Sequence, residues 1–204
     1  MEGRFHMNRL NIRIWMTAAQ RRTLALFCCM LLLTAGCAAG TICMEKNALE
    51  PLCQFCLRYG VPCPDSRTNS IFLSAMGWNG SMLLAGLCLG FCAVGQPFLC
   101  ALLALQGFAV GCLLTRIAEA GFSQQMLLQF SLGAVYGIAA SFLLLLGMRE
   151  AMRMSCIYLK TCTQDCEAAA MRRRLRLYGI RFGAILLLLL AASGIYALLY
   201  HILF

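Results

Sequence analysis

SIFLSAMGWNGSMLLAGLCLGFCAVGQPFLCALLALQGFAVGCLLT, residues Ser70–Thr115, runs for 46 residues without one charged side chain. As a single α-helix rising 1.5 Å per residue it would reach about 69 Å, more than twice the roughly 30 Å of a bilayer's hydrocarbon core. It must fold back on itself. The break offered is Gly95-Gln96-Pro97, where the proline lacks an amide proton and disfavours helix in the residue before it. The stretch therefore predicts two spans, residues 70–95 and 97–115, joined in a tight hairpin.

Three further uncharged runs are long enough to cross: Leu24–Met44, Met126–Met148 and Phe182–Phe204. The expected fold is all-α, a polytopic membrane protein of about five transmembrane helices. Composition agrees, since 61% of the 204 residues are hydrophobic and only 12% charged, about half the charged share of a soluble domain. Disordered, collagen-like and disulfide-scaffold classes do not fit that balance. The chain reads as one membrane domain, 1–204, with a basic arm (1–23), an outer loop (45–69), a short loop (116–125) and a basic loop (149–181). The two longest connections have 25 and 33 residues, below the roughly 40 under which a domain rarely holds a core alone.

Five crossings divide the connecting segments into two sets. One set carries Arg4, Arg9, Arg13, Arg21, Arg22, Arg149, Arg153, Lys160, Arg172, Arg173, Arg174, Arg176 and Arg181, thirteen of the seventeen basic residues. The other carries Lys46, Arg58, Arg67 and Arg116, while the eight acidic residues divide evenly, so the net charge of +9 sits on one side. By the positive-inside rule that side is cytoplasmic. The amino terminus is then expected inside and the carboxyl terminus outside. Because the charge is juxtamembrane and interrupted by apolar residues, it points to anionic lipid headgroups and not to nucleic acid. Arg172, Arg173, Arg174 and Arg176 are the candidates, each basic residue near a charged bilayer contributing about 1 kcal/mol. The competing reading is a topology signal without a specific ligand.

Arg21-Arg22 and the apolar run ending Ala35-Gly36-Cys37 imitate a signal peptide. The run continues to Met44, longer than the 7–15 residues or so of a cleaved apolar region, so it reads as an uncleaved first span. Of 14 cysteines, those in the spans read as small apolar filler. Cys53, Cys56 and Cys63 fall in the outer loop, where a structural disulfide, a metal site and free thiols are all open readings. The histidines are only His6 and His201, no His-Glu-x-x-His or Gly-x-Ser-x-Gly is present, and no span holds an Asp, Glu, Lys or Arg. A nucleophile in the bilayer would lack a base, and a charge-coupled carrier would lack its ionisable relay. No catalytic residue, metal site or cofactor is expected.

Glycine recurs at four-residue spacing in Gly36/Gly40, Gly86/Gly90, Gly107/Gly111, Gly133/Gly137 and Gly179/Gly183, the spacing that lets membrane helices approach closely. Two or three of these pairs are expected to be packing faces. Asn79 is placed toward the outer part of the second span, with Trp78 as an interface anchor. Gln96, Gln106 and Gln129 are read as interhelical hydrogen-bonding residues.

The stretch Asn79-Gly-Ser-Met-Leu-Leu-Ala-Gly-Leu-Cys-Leu-Gly90-Phe-Cys-Ala-Val-Gly95-Gln-Pro97, followed by Leu105-Gln-Gly107-Phe-Ala-Val-Gly111, resembles the stage II sporulation protein M family. The pattern matched is an asparagine, an apolar helix, a glycine-rich turn ending in proline, and a helix with Gly-Phe-x-x-Gly. It departs from that family at Gly133-Ala-Val-Tyr-Gly137, where members often carry a proline-containing polar stretch. The resemblance implies a non-enzymatic scaffold in the bacterial cytoplasmic membrane at the sporulation septum, holding the peptidoglycan-degrading stage II sporulation proteins D and P during engulfment. It implies packing and turn roles for Asn79, Gly90, Gly95, Pro97, Gly107 and Gly111. Two other functions compete with it. One is a transporter subunit binding a small neutral solute among Asn79, Gln106, Gln129 and Tyr136; the other is a membrane redox sensor using the outer-loop cysteines.

Overall fold

A computed structural model describes residues 18–46, 49–60, 68–92, 94–119, 124–163 and 168–203. They form six helices: α1 (Ala18–Glu45), α2 (Glu50–Gly60), α3 (Thr68–Gly90), α4 (Gln96–Glu119), α5 (Gln124–Thr163) and α6 (Ala168–Leu203). Five of them, all but α2, are long and apolar enough to cross a membrane. The five-span, all-helical reading holds. Large side chains such as Phe27, Leu73, Phe98, Ile138, Leu187 and Ile202 lie exposed on the bundle's outside, as expected where the surrounding solvent is lipid.

The hairpin between α3 and α4 turns where the proline predicts, but α3 ends at Gly90, five residues before the expected end of the span at 95. Residues 91–95 are needed to reverse the chain. The turn is closed by amides of Phe91, Cys92 and Gly95 donating to the carbonyls of Cys88, Leu89 and Cys92 at 3.0–3.1 Å. Ser155 of α5 donates to the Cys92 carbonyl at 2.7 Å and pins the turn from outside. A side chain at Gly95 would overlap the Leu89 carbonyl, so the turn admits only glycine there. Pro97 falls in the first turn of α4, where its missing donor costs nothing.

α1 packs chiefly against α4. A Cβ added at Gly36 or Gly40 would overlap the backbone of Ala104 or Phe108, and one at Gly107 or Gly111 that of Leu33 or Cys37. The two glycine pairs therefore face each other across one interface. Partner numbers rise together along both helices, so α1 and α4 run parallel, as first and third spans must. Gly90 faces Tyr178 and the Ala151 backbone, whereas Gly137, Gly179 and Gly183 meet nothing within 4 Å. Three of the five pairs are packing faces, although Gly86 meets side chains alone, the flexible end of Met148 and Leu99.

Two segments read as loops are largely helical. In residues 45–69 the chain passes Leu49, whose φ of 56° is left-handed and costs an L-residue about 1–2 kcal/mol, and enters α2. Pro51 in the first turn and apolar residues at positions 52, 53, 55 and 56 make α2 amphipathic, and it seats Cys53 and Cys56 against the bundle. In residues 149–181, α5 and α6 continue as helical arms, because that segment contains no glycine before Gly179, no proline, and many strong helix formers. The basic arm before Ala18, together with Cys63 and the side chains of Gln129, Lys160 and Cys162, lies outside the described residues.

Candidate functional site

Asn79 stands eleven residues before the end of α3 at Gly90, and Gln106 ten residues after the start of α4 at Gln96. Helices leaving one turn with equal rise bring these two amides to the same depth, about 16 Å from the turn. Gln106 Nε2 donates to Asn79 Oδ1 at 3.3 Å. Asn79 is thus at the middle of α3 rather than near its outer end, a consequence of the helix ending at Gly90. Trp78 is correspondingly no interface anchor: it is buried, packed edge-on against Phe55 of α2 at 5.8 Å, and its indole N–H donates to Gln106 Oε1 at 3.1 Å.

The amides gather partners from the other two helices. Gln106 Nε2 also donates to Ser141 Oγ of α5 at 3.3 Å. Asn79 Nδ2 donates to the Ala75 carbonyl at 3.0 Å and to the Tyr136 hydroxyl at 3.1 Å. That hydroxyl lies 3.1 Å from the Ala75 carbonyl and 2.9 Å from Ser193 Oγ of α6, and Ser193 donates to the Leu189 carbonyl at 2.9 Å. Both amide oxygens and both amide nitrogens are engaged, and among the described residues no buried side-chain nitrogen or oxygen lacks a partner. Four helices are thereby stitched at one level. Stacking of Tyr136 on Tyr196, with centroids 4.6 Å apart, extends the contact along α6.

Beside this cluster lies a cavity of about 30 Å³, bordered by Cys56, Trp78, Asn79, Gln106, Tyr136 and Gly137. Small-molecule sites measure roughly 300–1,000 Å³, and one water's share of liquid is about 30 Å³. The cavity has room for water and none for an organic solute. Of the residues named for a solute site, Asn79, Gln106 and Tyr136 do come together, but they are bonded to one another.

The other named residues are dispersed. Gly90, Gly95, Pro97, Gly107 and Gly111 occupy the turn and packing positions described above. Cys53 and Cys56 are buried thiols on α2, neither in a disulfide, lying close to Cys112 of α4. Burial, with the neighbouring Cys53, pushes the Cys56 thiol up to about 11, so it stays protonated and unreactive at neutral pH. Among the described residues no three His, Cys, Asp or Glu side chains come together as metal ligands. Arg172, Arg173, Arg174 and Arg176 are exposed along the α6 arm. Gln96 reaches Cys156 of α5, Nε2 to Sγ, at 3.0 Å.

Sequence reasoning missed Ser141, Ser193 and the tyrosine stack. An isolated serine in an apolar helix carries no distinguishing signal, because it can bond back to its own helix, as Ser193 does. The equal spacing of Asn79 and Gln106 from the turn was the available clue. No protein-family model, curated protein or solved structure matches this chain.

Proposed function

We propose that the protein is a non-enzymatic membrane scaffold, oriented with its basic end and amino terminus in the cytoplasm, that holds partner proteins through its spans and outer segment. The observation that supports this reading best is the closed polar cluster. Asn79, Gln106 and Tyr136, three of the groups that would bind a solute in a transporter subunit, are spent on joining α3, α4, α5 and α6, and the adjoining cavity of about 30 Å³ is the size of a water. A polar core satisfied in this way gives a membrane bundle one defined arrangement without a hydrophobic driving force.

The setting rests on the resemblance of Asn79–Gly111 to the stage II sporulation protein M family. It places the scaffold at the sporulation septum, with peptidoglycan-degrading enzymes, stage II sporulation proteins D and P, as its partners. The redox-sensor alternative is less well supported, since Cys53 and Cys56 are buried and reactive thiols are exposed and acidic.

Crosslinking the tagged full-length protein in sporulating cells and identifying what copurifies tests the proposal. Septal peptidoglycan hydrolases are the expected result. Recovery of an ATPase or transporter core with no hydrolase overturns it.

A further inference from the structure

At the basic end of the bundle the arms of α5 and α6 border a cleft of about 400 Å³. Glu150, Arg153 and Ile157 line it from α5, and Arg174, Leu177 and Arg181 from α6. Each set recurs at three- and four-residue spacing, so each presents one face of its helix. Three arginines and one glutamate thus border one space.

That carboxylate holds one of the arginines and lies near a second. Glu150 Oε2 accepts from Arg181 Nη1 at 2.9 Å, and Arg153 Nη1 stands 3.9 Å from the same oxygen. A guanidinium has five N–H donors, so Arg181 keeps most of its own free while bonded to Glu150, and Arg153 donates none to that carboxylate. Arg174, about two helical turns farther out along the same face and exposed, has no ion-pair partner among the described residues. The rest of the lining is Met154, Cys156, Ile157, Leu177 and Tyr178. The Tyr178 hydroxyl turns away, donating to the Leu87 carbonyl at 3.2 Å.

We infer that this cleft is a binding site for the phosphate headgroup of an anionic phospholipid. Forked guanidinium donors match phosphate oxygens bidentately, and basic pockets between spans at the headgroup level are suited to acidic lipids. Arg181 directly precedes the apolar run that begins at Phe182, which sets the phosphate at the bilayer surface. Arg153, Ile157, Arg174 and Leu177 lie on the side of Arg181 away from the apolar run. The cleft therefore takes the headgroup while the acyl chains run past Phe182 into the hydrocarbon, an anchorage that a soluble phosphate does not have. The site uses Arg153, Arg174 and Arg181, whereas Arg172, Arg173 and Arg176 do not line it. It is independent of the scaffold reading, because it concerns which lipid the bundle holds and not which protein.

The test is native mass spectrometry of the full-length protein in a neutral detergent, titrated with phosphatidylglycerol or phosphatidylcholine. Phosphatidylglycerol is expected to bind with defined stoichiometry and phosphatidylcholine not to. R174Q and R153Q should each weaken binding about fivefold, R174K should lose less, and R172Q/R173Q, which removes two charges from the same arm, should change nothing. Unaltered thermal unfolding of R174Q, whose side chain is exposed, shows that the loss is not one of folding. Equal weakening by R172Q/R173Q would reduce the site to diffuse surface charge and overturn the inference. So would equal binding of phosphatidylcholine, or displacement of the lipid by millimolar inorganic phosphate.

Discussion

Asn79 is the residue on which the interior depends most, since its amide touches α3, α4 and α5 at once. Asn79→Leu would leave a Gln106 N–H without its acceptor and the Tyr136 hydroxyl without its donor. Stranding buried groups costs about 1–3 kcal/mol, so unfolding in detergent should show a loss in that range. Tyr136→Phe should cost less, because Asn79 Nδ2 keeps the Ala75 carbonyl and Ser193 keeps Leu189. Cys56 makes a separate prediction. Its proton is held in the folded protein to about 11, against an ordinary thiol value of 9.0, so between those pH values the unfolded chain loses a proton the folded one keeps. Folded stability gains nothing from this below pH 9 and falls as pH rises through the window. The check is a pH series comparing wild type with Cys56→Ala, in which the variant should show the shallower decline.

At the level of helices, the glycine pairs separate into those that carry an interface and those that do not. Gly36→Leu or Gly107→Val puts a side chain into the facing backbone, and overpacking of this kind costs about 1–3 kcal/mol. Gly183→Ala, where a Cβ meets nothing within 4 Å, should be neutral or stabilising by up to about 1 kcal/mol, since glycine in a helix is the less favourable residue. Equilibrium unfolding of the three variants in mixed micelles distinguishes them, and similar effects at all three would contradict the packing. The sequence made Gly36/Gly40 and Gly107/Gly111 candidates by spacing alone. It did not pair them, because the same spacing occurs in Gly179/Gly183, and which helix lies opposite is a property of the fold. The α2 helix was illegible for a different reason. Its eleven residues are too few to hold a helix alone, so it forms by burying Cys53 and Cys56 against the bundle.

For the whole molecule, charge distribution carries the orientation proposal. Reporter fusions after Phe204 and before Met1 should place the carboxyl terminus outside and the amino terminus inside; both ends on one side would require an even number of crossings. Number of spans, their approximate limits, the hairpin break and the charge asymmetry all follow from local chemistry. Twenty uncharged apolar residues dissolve in lipid as helix wherever they occur, and Pro97 interrupts a helix whatever surrounds it. How those helices associate does not follow from local chemistry, because lipid is as apolar as leucine and hydropathy is silent about neighbours. Asn79 and Gln106 could be seen as polar residues needing partners, but Tyr136, Ser141 and Ser193 became those partners through contacts that span 35 to 57 residues of chain. The same holds for the basic cleft. Six arginines between Arg153 and Arg181 look equivalent in sequence, and the antiparallel pairing of α5 with α6 is what turns three of them toward one space.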